Sequence, residues 1–127
     1  FAAGQRCTAT SRIIVEEAVA GRFIGAVRQK LQTLRIGDPR DAATDIGPLA
    51  NPRQKQRVAA QVEAVRAEGA ALAIGGTMPQ DDDCHVPPML FDDLDSRSLI
   101  AREEIFGPVA GLFRVRDFEH ALETLND

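Results

Sequence analysis

Ile13-Ile14-Val15 is a short β-branched run that reads as a buried strand, and a change of period follows it at once. Val19, Phe23, Ile24, Val27, Leu31 and Leu34 fall at steps of three and four, which puts one apolar face on a helix. A strand running straight into an amphipathic helix is the unit of an α/β layered fold. Gly37-Asp38-Pro39 ends that helix in this reading, and a polar loop follows to Pro48.

The same alternation continues downstream. Asn51 can cap a second helix, Pro52 suits its first position, and Gln54 stands where a capping-box partner belongs. Val58, Val62 and Val65 mark its buried stripe, and Gly69 stops it. Ala71 to Ile74 predicts a short strand, and Thr77 to Pro88 a polar exposed loop or hairpin. Strands follow at Met89 to Phe91 and Val109 to Val115, broken by Gly107-Pro108. Asp117 caps a last helix with apolar positions Phe118, Ala121, Leu122 and Leu125. The expected fold class is α/β, a mostly parallel sheet flanked by helices.

The chain has 127 residues, one domain's worth and enough to bury a core. A net charge of −4 with scattered basic residues gives no footprint for nucleic acid. Arg53, Lys55 and Arg57 are the densest basic group, and their helical spacing reads as a solvated face. No apolar run approaches the roughly 20 residues that span a bilayer, and no basic-then-apolar leader opens the chain. Cys7 and Cys84 fit a reducing compartment better than a disulfide framework, so the expected location is cytoplasmic. Phe1 in place of Met points to a chain cut or excerpted from something longer. Asp81-Asp82-Asp83-Cys84-His85 puts metal-ligand residue types in a row, but neighbours in sequence rarely converge on one ion. That stretch reads as a solvated acidic loop, with no metal expected. His120 is expected partly exposed on the last helix.

Two segments carry chemistry. Phe1-Ala2-Ala3-Gly4-Gln5-Arg6-Cys7 presents a thiol followed by the small residues Thr8, Ala9, Thr10 and Ser11. Gly4 permits a sharp turn or a close backbone approach, and Arg6 can tune the thiol's charge state. Glu103-Glu104-Ile105-Phe106-Gly107-Pro108-Val109 sets a carboxylate and a ring ahead of a rigid turn, with Glu104 97 positions after Cys7. Read alone, the first is a packing cysteine and the second a surface Glu pair, a core Phe and a turn.

Phe-x-x-Gly-Gln-x-Cys followed at this distance by Glu-x-Phe-Gly-Pro resembles the NAD(P)-dependent aldehyde dehydrogenase superfamily. Gly37-Asp38-Pro39, Thr44-Asp45-Ile46-Gly47-Pro48-Leu49, Gln56-Arg57-Val58 and Gly69-Ala70 look similar to its catalytic domain, so the likeness runs from Phe1 to Asp127. The resemblance implies that residues 1–127 are a partial catalytic domain, lacking the cofactor-binding domain and the terminal oligomerisation segment. It implies Cys7 as catalytic nucleophile, with its N–H in the oxyanion hole. Glu104 would bind the nicotinamide ribose and Phe106 the reactive end of NAD or NADP. The general-base Glu and the oxyanion Asn of the family lie upstream of the cysteine. The isolated piece is therefore expected to be inactive, and the parent enzyme a homo-oligomer (dimer or tetramer).

The implied reaction oxidises a small-molecule aldehyde, with the semialdehyde-oxidising branches suggested by Gly-Gln-Arg-Cys-Thr-Ala, to a carboxylic acid. A thiolate attacks the carbonyl, a thiohemiacetal loses hydride, and water releases the acid from a thioester. Two alternatives stay open: an acylating relative in which coenzyme A takes the thioester, and a non-catalytic truncated α/β module.

Overall fold

The computed structural model describes residues 2–81 and 83–127, so Phe1 of the first motif and Asp82 of the acidic stretch lie outside the described residues. Strand β1 (Arg12–Glu16) runs directly into helix α1 (Glu17–Leu31). Helix α2 (Pro52–Ala67) is followed by strands β2 (Ala71–Ile74) and β3 (Met89–Asp92). A single turn, α3 (Leu99–Arg102), leads to strand β4 (Val109–Val115) and helix α4 (Phe118–Asn126). The sheet order is β1-β4-β3-β2. β1, β4 and β3 are parallel, and β2 joins β3 antiparallel with a register shift between Leu72 and Ile74. The expected mostly parallel sheet is the one observed.

The pleat sorts residues between two cores. Ile13, Val15, Leu90, Ala110 and Leu112 pack with Phe23, Ile24 and Val27 of α1. Ile14, Met89, Phe91, Val109 and Phe113 face the other way, toward Val58, Val62 and Val65 of α2. Period-two alternation on a sheet covered on both faces explains why β3 is buried at all four positions. Gly111 has no room for a side chain: a Cβ there would sit 2.6 Å from Leu94 Cδ1 and 2.7 Å from Ile100 Cγ2. At the far end of the strands Arg114 makes a two-point bond to Asp92 (2.9 and 2.7 Å) and reaches Glu17 at 2.6 Å, tying β4, β3 and α1 together.

Several expectations need correcting. α1 ends at Leu31, short of Gly37, because the amides of Thr33 and Leu34 turn back by only three residues, onto the carbonyls of Lys30 and Leu31. Leu34 packs against the α2-side core from beyond the helix. Asn51 caps α2, its Oδ1 accepting from the Gln54 N–H at 2.9 Å, but the Gln54 side chain closes no capping box. It donates instead to the Phe106 carbonyl at 2.8 Å. Lys55 is buried, unlike the exposed Arg53 and Arg57. Its ammonium uses its three donors on the Asp81 carbonyl (2.7 Å), the Asp81 carboxylate (3.0 Å) and the Asp83 carbonyl (2.5 Å). The acidic loop is thus pinned to α2. α3 is one turn, too short to show a helical period; its first amide and Ser98 Oγ both donate to the Glu68 carboxylate.

Elsewhere the elements fall where the sequence puts them. Gly69 takes a φ of +92° just beyond α2, and Asp117 caps α4 by accepting from the His120 N–H at 2.8 Å. α4 lies against β1 and β4, yet Phe118, Leu122 and Leu125 remain exposed. Among the described residues no helix is long and apolar enough to cross a membrane, and no group of three metal-ligating side chains is assembled.

His85 ties the acidic loop to the Gly37 turn. Its Nδ1 faces the Asp83 carboxylate at 2.5 Å and its Nε2 faces the Gly37 carbonyl at 2.9 Å. Both partners are acceptors, and only an imidazolium donates to both. The Gly37 carbonyl, then Asp83, hold the His85 pKa above its ordinary value, with Asp38 adding a smaller pull. A pKa raised by folding gives stability that is complete below about 6.5 and lost as pH rises through the folded value. Thermal melts of the chain should therefore show the midpoint falling by a few degrees from pH 6 to pH 9. His85→Asn should lower the pH 6 midpoint and flatten that dependence; an unchanged slope in the variant would place the titration elsewhere.

Candidate active site

The candidate nucleophile sits on a turn built from two left-handed residues in succession, Ala3 (φ +49°) and Gly4 (φ +72°). An alanine in that region is held only if its surroundings enforce it; Ala3 is buried in the α2-side core. The Gln5 amide closes the turn on the Ala2 carbonyl at 2.9 Å, and the Ala9 amide closes the next on Arg6 at 2.9 Å. Cys7 is the second residue of this Arg6–Ala9 turn and is exposed. Its N–H donates to no acceptor among the described residues. Gln5 fastens the turn to the start of α2: its Oε1 accepts from the Ala50 N–H at 2.8 Å, and its Nε2 donates to the Ala2 carbonyl at 3.1 Å and the Pro48 carbonyl at 3.4 Å.

The second motif leaves α3 in extended form. Ile105 is its buried anchor, while Glu104 is exposed and Phe106 half-buried. Two tight turns follow, with the Gly107 N–H on the Ile105 carbonyl (2.8 Å) and the Val109 N–H on the Gly107 carbonyl (2.9 Å). One face of α2 runs along this segment. Gln54 Nε2 donates to the Phe106 carbonyl at 2.8 Å, Val58 abuts Gly107, and Gln61 Nε2 donates to the Glu104 carbonyl at 3.3 Å. These α2 positions recur at helical spacing, so one stripe meets three places in the motif.

The two motifs touch through backbone. A Cβ on Gly4 would lie 2.0 Å from the Gly107 carbonyl oxygen and 2.5 Å from its carbon. A Cβ on Gly107 would in turn lie 2.9 Å from Val58 Cγ2. Gly4, Gly107 and Val58 form a stack in which neither glycine can carry a side chain. Beside it a cleft of about 480 Å³ opens between the Gly4–Ala9 segment, Gly107-Pro108, the end of α1 at Leu31 and the turn beyond it at Leu34. Arg6 and Thr8 line it, and Arg6 has no ion-pair partner among the described residues.

Of the expected site residues, the structure brings the two motif backbones together. No hydrogen bond, ion pair or ring contact joins Cys7 to Glu104 or Phe106 among the described residues, and none of the three lines the cleft. The Glu104 carboxylate has no protein partner among them. Gln5, Gln54 and Gln61, which orient both motifs, received no such role from the sequence. Gln61 shares the helical stripe of Val58, Val62 and Val65, but only its placement in the fold shows it to be buried.

Residues 1–127 match the family model described as the aldehyde dehydrogenase family over their whole length. The chain belongs to the aldehyde dehydrogenase family. It is 37% identical to a betaine aldehyde dehydrogenase of Brucella anthropi, over all of this chain and 27% of that protein. It is 40% identical to a hydroxyisobutyraldehyde dehydrogenase of Mycolicibacterium austroafricanum, over 98% of this chain and 25% of that protein. The fold superposes on a betaine aldehyde dehydrogenase of Staphylococcus aureus in complex with NAD+, with a TM-score of 0.92 and 30% identity, over all of this chain and 26% of that one. A cysteine-to-alanine variant of aldehyde dehydrogenase C of Pseudomonas syringae, complexed with NAD+ and octanal, gives a TM-score of 0.91 and 35% identity, over 98% and 26%. The chain thus spans about a quarter of the length of the relatives it matches. Each of these similarities covers 98% of this aldehyde dehydrogenase segment or more.

The glycine stack makes a paired prediction, read by thermal or denaturant unfolding of the chain. Gly4→Ala should cost about 1–3 kcal/mol from backbone strain alone, and trimming Val58 should not rescue it, because the obstacle is the Gly107 carbonyl. Gly107→Ala should also destabilise, but Gly107→Ala with Val58→Ala should lose less than the sum of the two single changes. Additive losses would show that the stack is looser than described.

Proposed function

We propose that this segment supplies the nucleophile and the nicotinamide-side contacts of an enzyme that oxidises an aldehyde to a carboxylic acid with NAD(P)+. The observation that carries the reading is the backbone contact of Gly4 with Gly107, which sets the Cys7 turn and the Glu104–Phe106 segment in one frame. Similarity to aldehyde dehydrogenases, two of them solved with NAD+, supports the same reading.

Cys7 as thiolate adds its sulfur to the aldehyde carbon, and the carbonyl π pair moves to oxygen. The resulting oxyanion needs a fixed donor, and the unengaged Cys7 N–H is available for that role. When bound, the nicotinamide supplies a hydride acceptor. With the hydride gone, Cys7 carries a thioester; water adds to it and gives up one proton to solvent, the C–S bond breaks, and the carboxylic acid leaves with the thiolate restored. Glu104 suits a ribose diol because its carboxylate is exposed and unpaired among the described residues, free to accept two hydroxyl hydrogen bonds. Phe106 offers a half-buried ring whose backbone is held by Gln54. On this reading the complete enzyme is a cytoplasmic homo-oligomer, and both cysteines are free, as a reducing compartment requires.

The test is NAD(P)+-linked oxidation of an aldehyde panel by the full-length enzyme and its variants. Cys7→Ala should lower turnover by at least about a thousandfold, and Glu104→Gln should raise the KM for the cofactor more than that for the aldehyde. A Cys7→Ala enzyme retaining its rate would remove Cys7 from the chemistry.

A further inference from the structure

Gln61 occupies a position that an apolar residue would fill at lower cost. It is 7% exposed on the inner face of α2, between Val58 and Val62 and Val65, all fully buried. Its Oε1 is buried with no hydrogen-bond partner among the described residues. An unpaired buried acceptor opposes folding. The one bond made by the same amide runs from Nε2 to the Glu104 carbonyl at 3.3 Å. About two turns toward the start of the helix, Gln54 makes the matching bond to the Phe106 carbonyl. Val58 fills the space between them against Gly107.

We propose that Gln61, acting with Gln54, is a positioning residue that fixes the peptide carrying Glu104 and thereby the direction of its carboxylate toward the cofactor. The proposal rests on the functional reading above, in which Glu104 meets the nicotinamide ribose. Glu104 itself is exposed, and its side chain has no protein partner among the described residues to orient it. Among the described residues it is therefore the backbone of Glu104 that is held, and Gln61 holds it. Neither glutamine touches the reacting atoms in this scheme; both work through carbonyl oxygens of the second motif.

The deciding variant is Gln61→Met, which keeps the volume, removes the donor and removes the unpaired oxygen. It is made in the full-length enzyme and compared with Gln54→Met. Amide exchange at Gly107 and Val109, whose N–H groups are bonded within the motif, should speed up several-fold. The Kd for NAD+, read by calorimetric titration, should rise about fivefold, the value of one ordinary hydrogen bond. Thermal stability should equal or exceed that of wild type, and the rate of Cys7 alkylation by iodoacetamide should match it. Unchanged exchange and unchanged Kd would overturn the proposal. So would a fall in thermal stability accompanied by equal losses in every readout, which is the mark of a merely structural residue. If the wild-type enzyme itself binds no NAD+, the functional reading fails, and the exchange rates alone decide whether Gln61 positions the motif.

Discussion

The contact of two backbones, Gly4 on Gly107 with Val58 behind, is the constraint on which the rest of this structure turns. A peptide can approach another this closely only where no Cβ intervenes. Because Gly4 is also left-handed, the chain reverses just before Cys7 and presents it on an exposed turn. Because Gly107 is pressed between Gly4 and α2, the preceding Glu104-Ile105-Phe106 is drawn along the helix face. Segments far apart in sequence become one surface, and both are referenced to α2: the first through Gln5 on the loop leading into the helix, the second through Gln54 and Gln61.

That surface lies at an unusual end of the sheet. In open parallel α/β sheets ligands gather outside the carboxyl ends of the strands. Here Cys7 precedes β1 and the Glu104–Pro108 segment precedes β4, so the motifs sit by the amino ends. The Ser11 carbonyl accepts from the Gly111 N–H, and the Pro108 carbonyl from the Met89 N–H, both at 2.8 Å, so the lead-ins to the three parallel strands lie side by side. The carboxyl ends carry the Arg114, Asp92 and Glu17 cluster, whose polar groups satisfy one another. The strands serve as rigid anchors for irregular segments, which suits a site that must hold strained backbone.

How much of this is legible in the sequence depends on the length over which a signal repeats. β2, β4 and α4 stand at the bounds that alternation, turn residues and caps indicate, and β3 is longer by one residue. The Leu31-to-Leu34 spacing prolongs the apolar stripe of α1 past the end of the helix, because Leu34 reaches the core from a turn and periodicity cannot tell the two apart. α3 has no period to read. Lys55 and Gln61 look like surface residues by type, and only three-dimensional placement shows an ammonium bonded by three oxygens and an amide holding a carbonyl. For the site, the motif residues were identifiable by resemblance. The glutamines that orient them were not, since their partners are backbone carbonyls, which have no sequence signature.

The most direct test of the central claim, that this surface is built around Cys7 as a covalent nucleophile, is rapid acid quenching of the full-length enzyme during turnover. Peptide mass spectrometry then follows, with aldehyde and NAD+ present. An acyl group added as a thioester on the peptide containing Cys7, and absent without NAD+, is the expected result. Continued turnover with no adduct there, or with the adduct on Cys84, would contradict it.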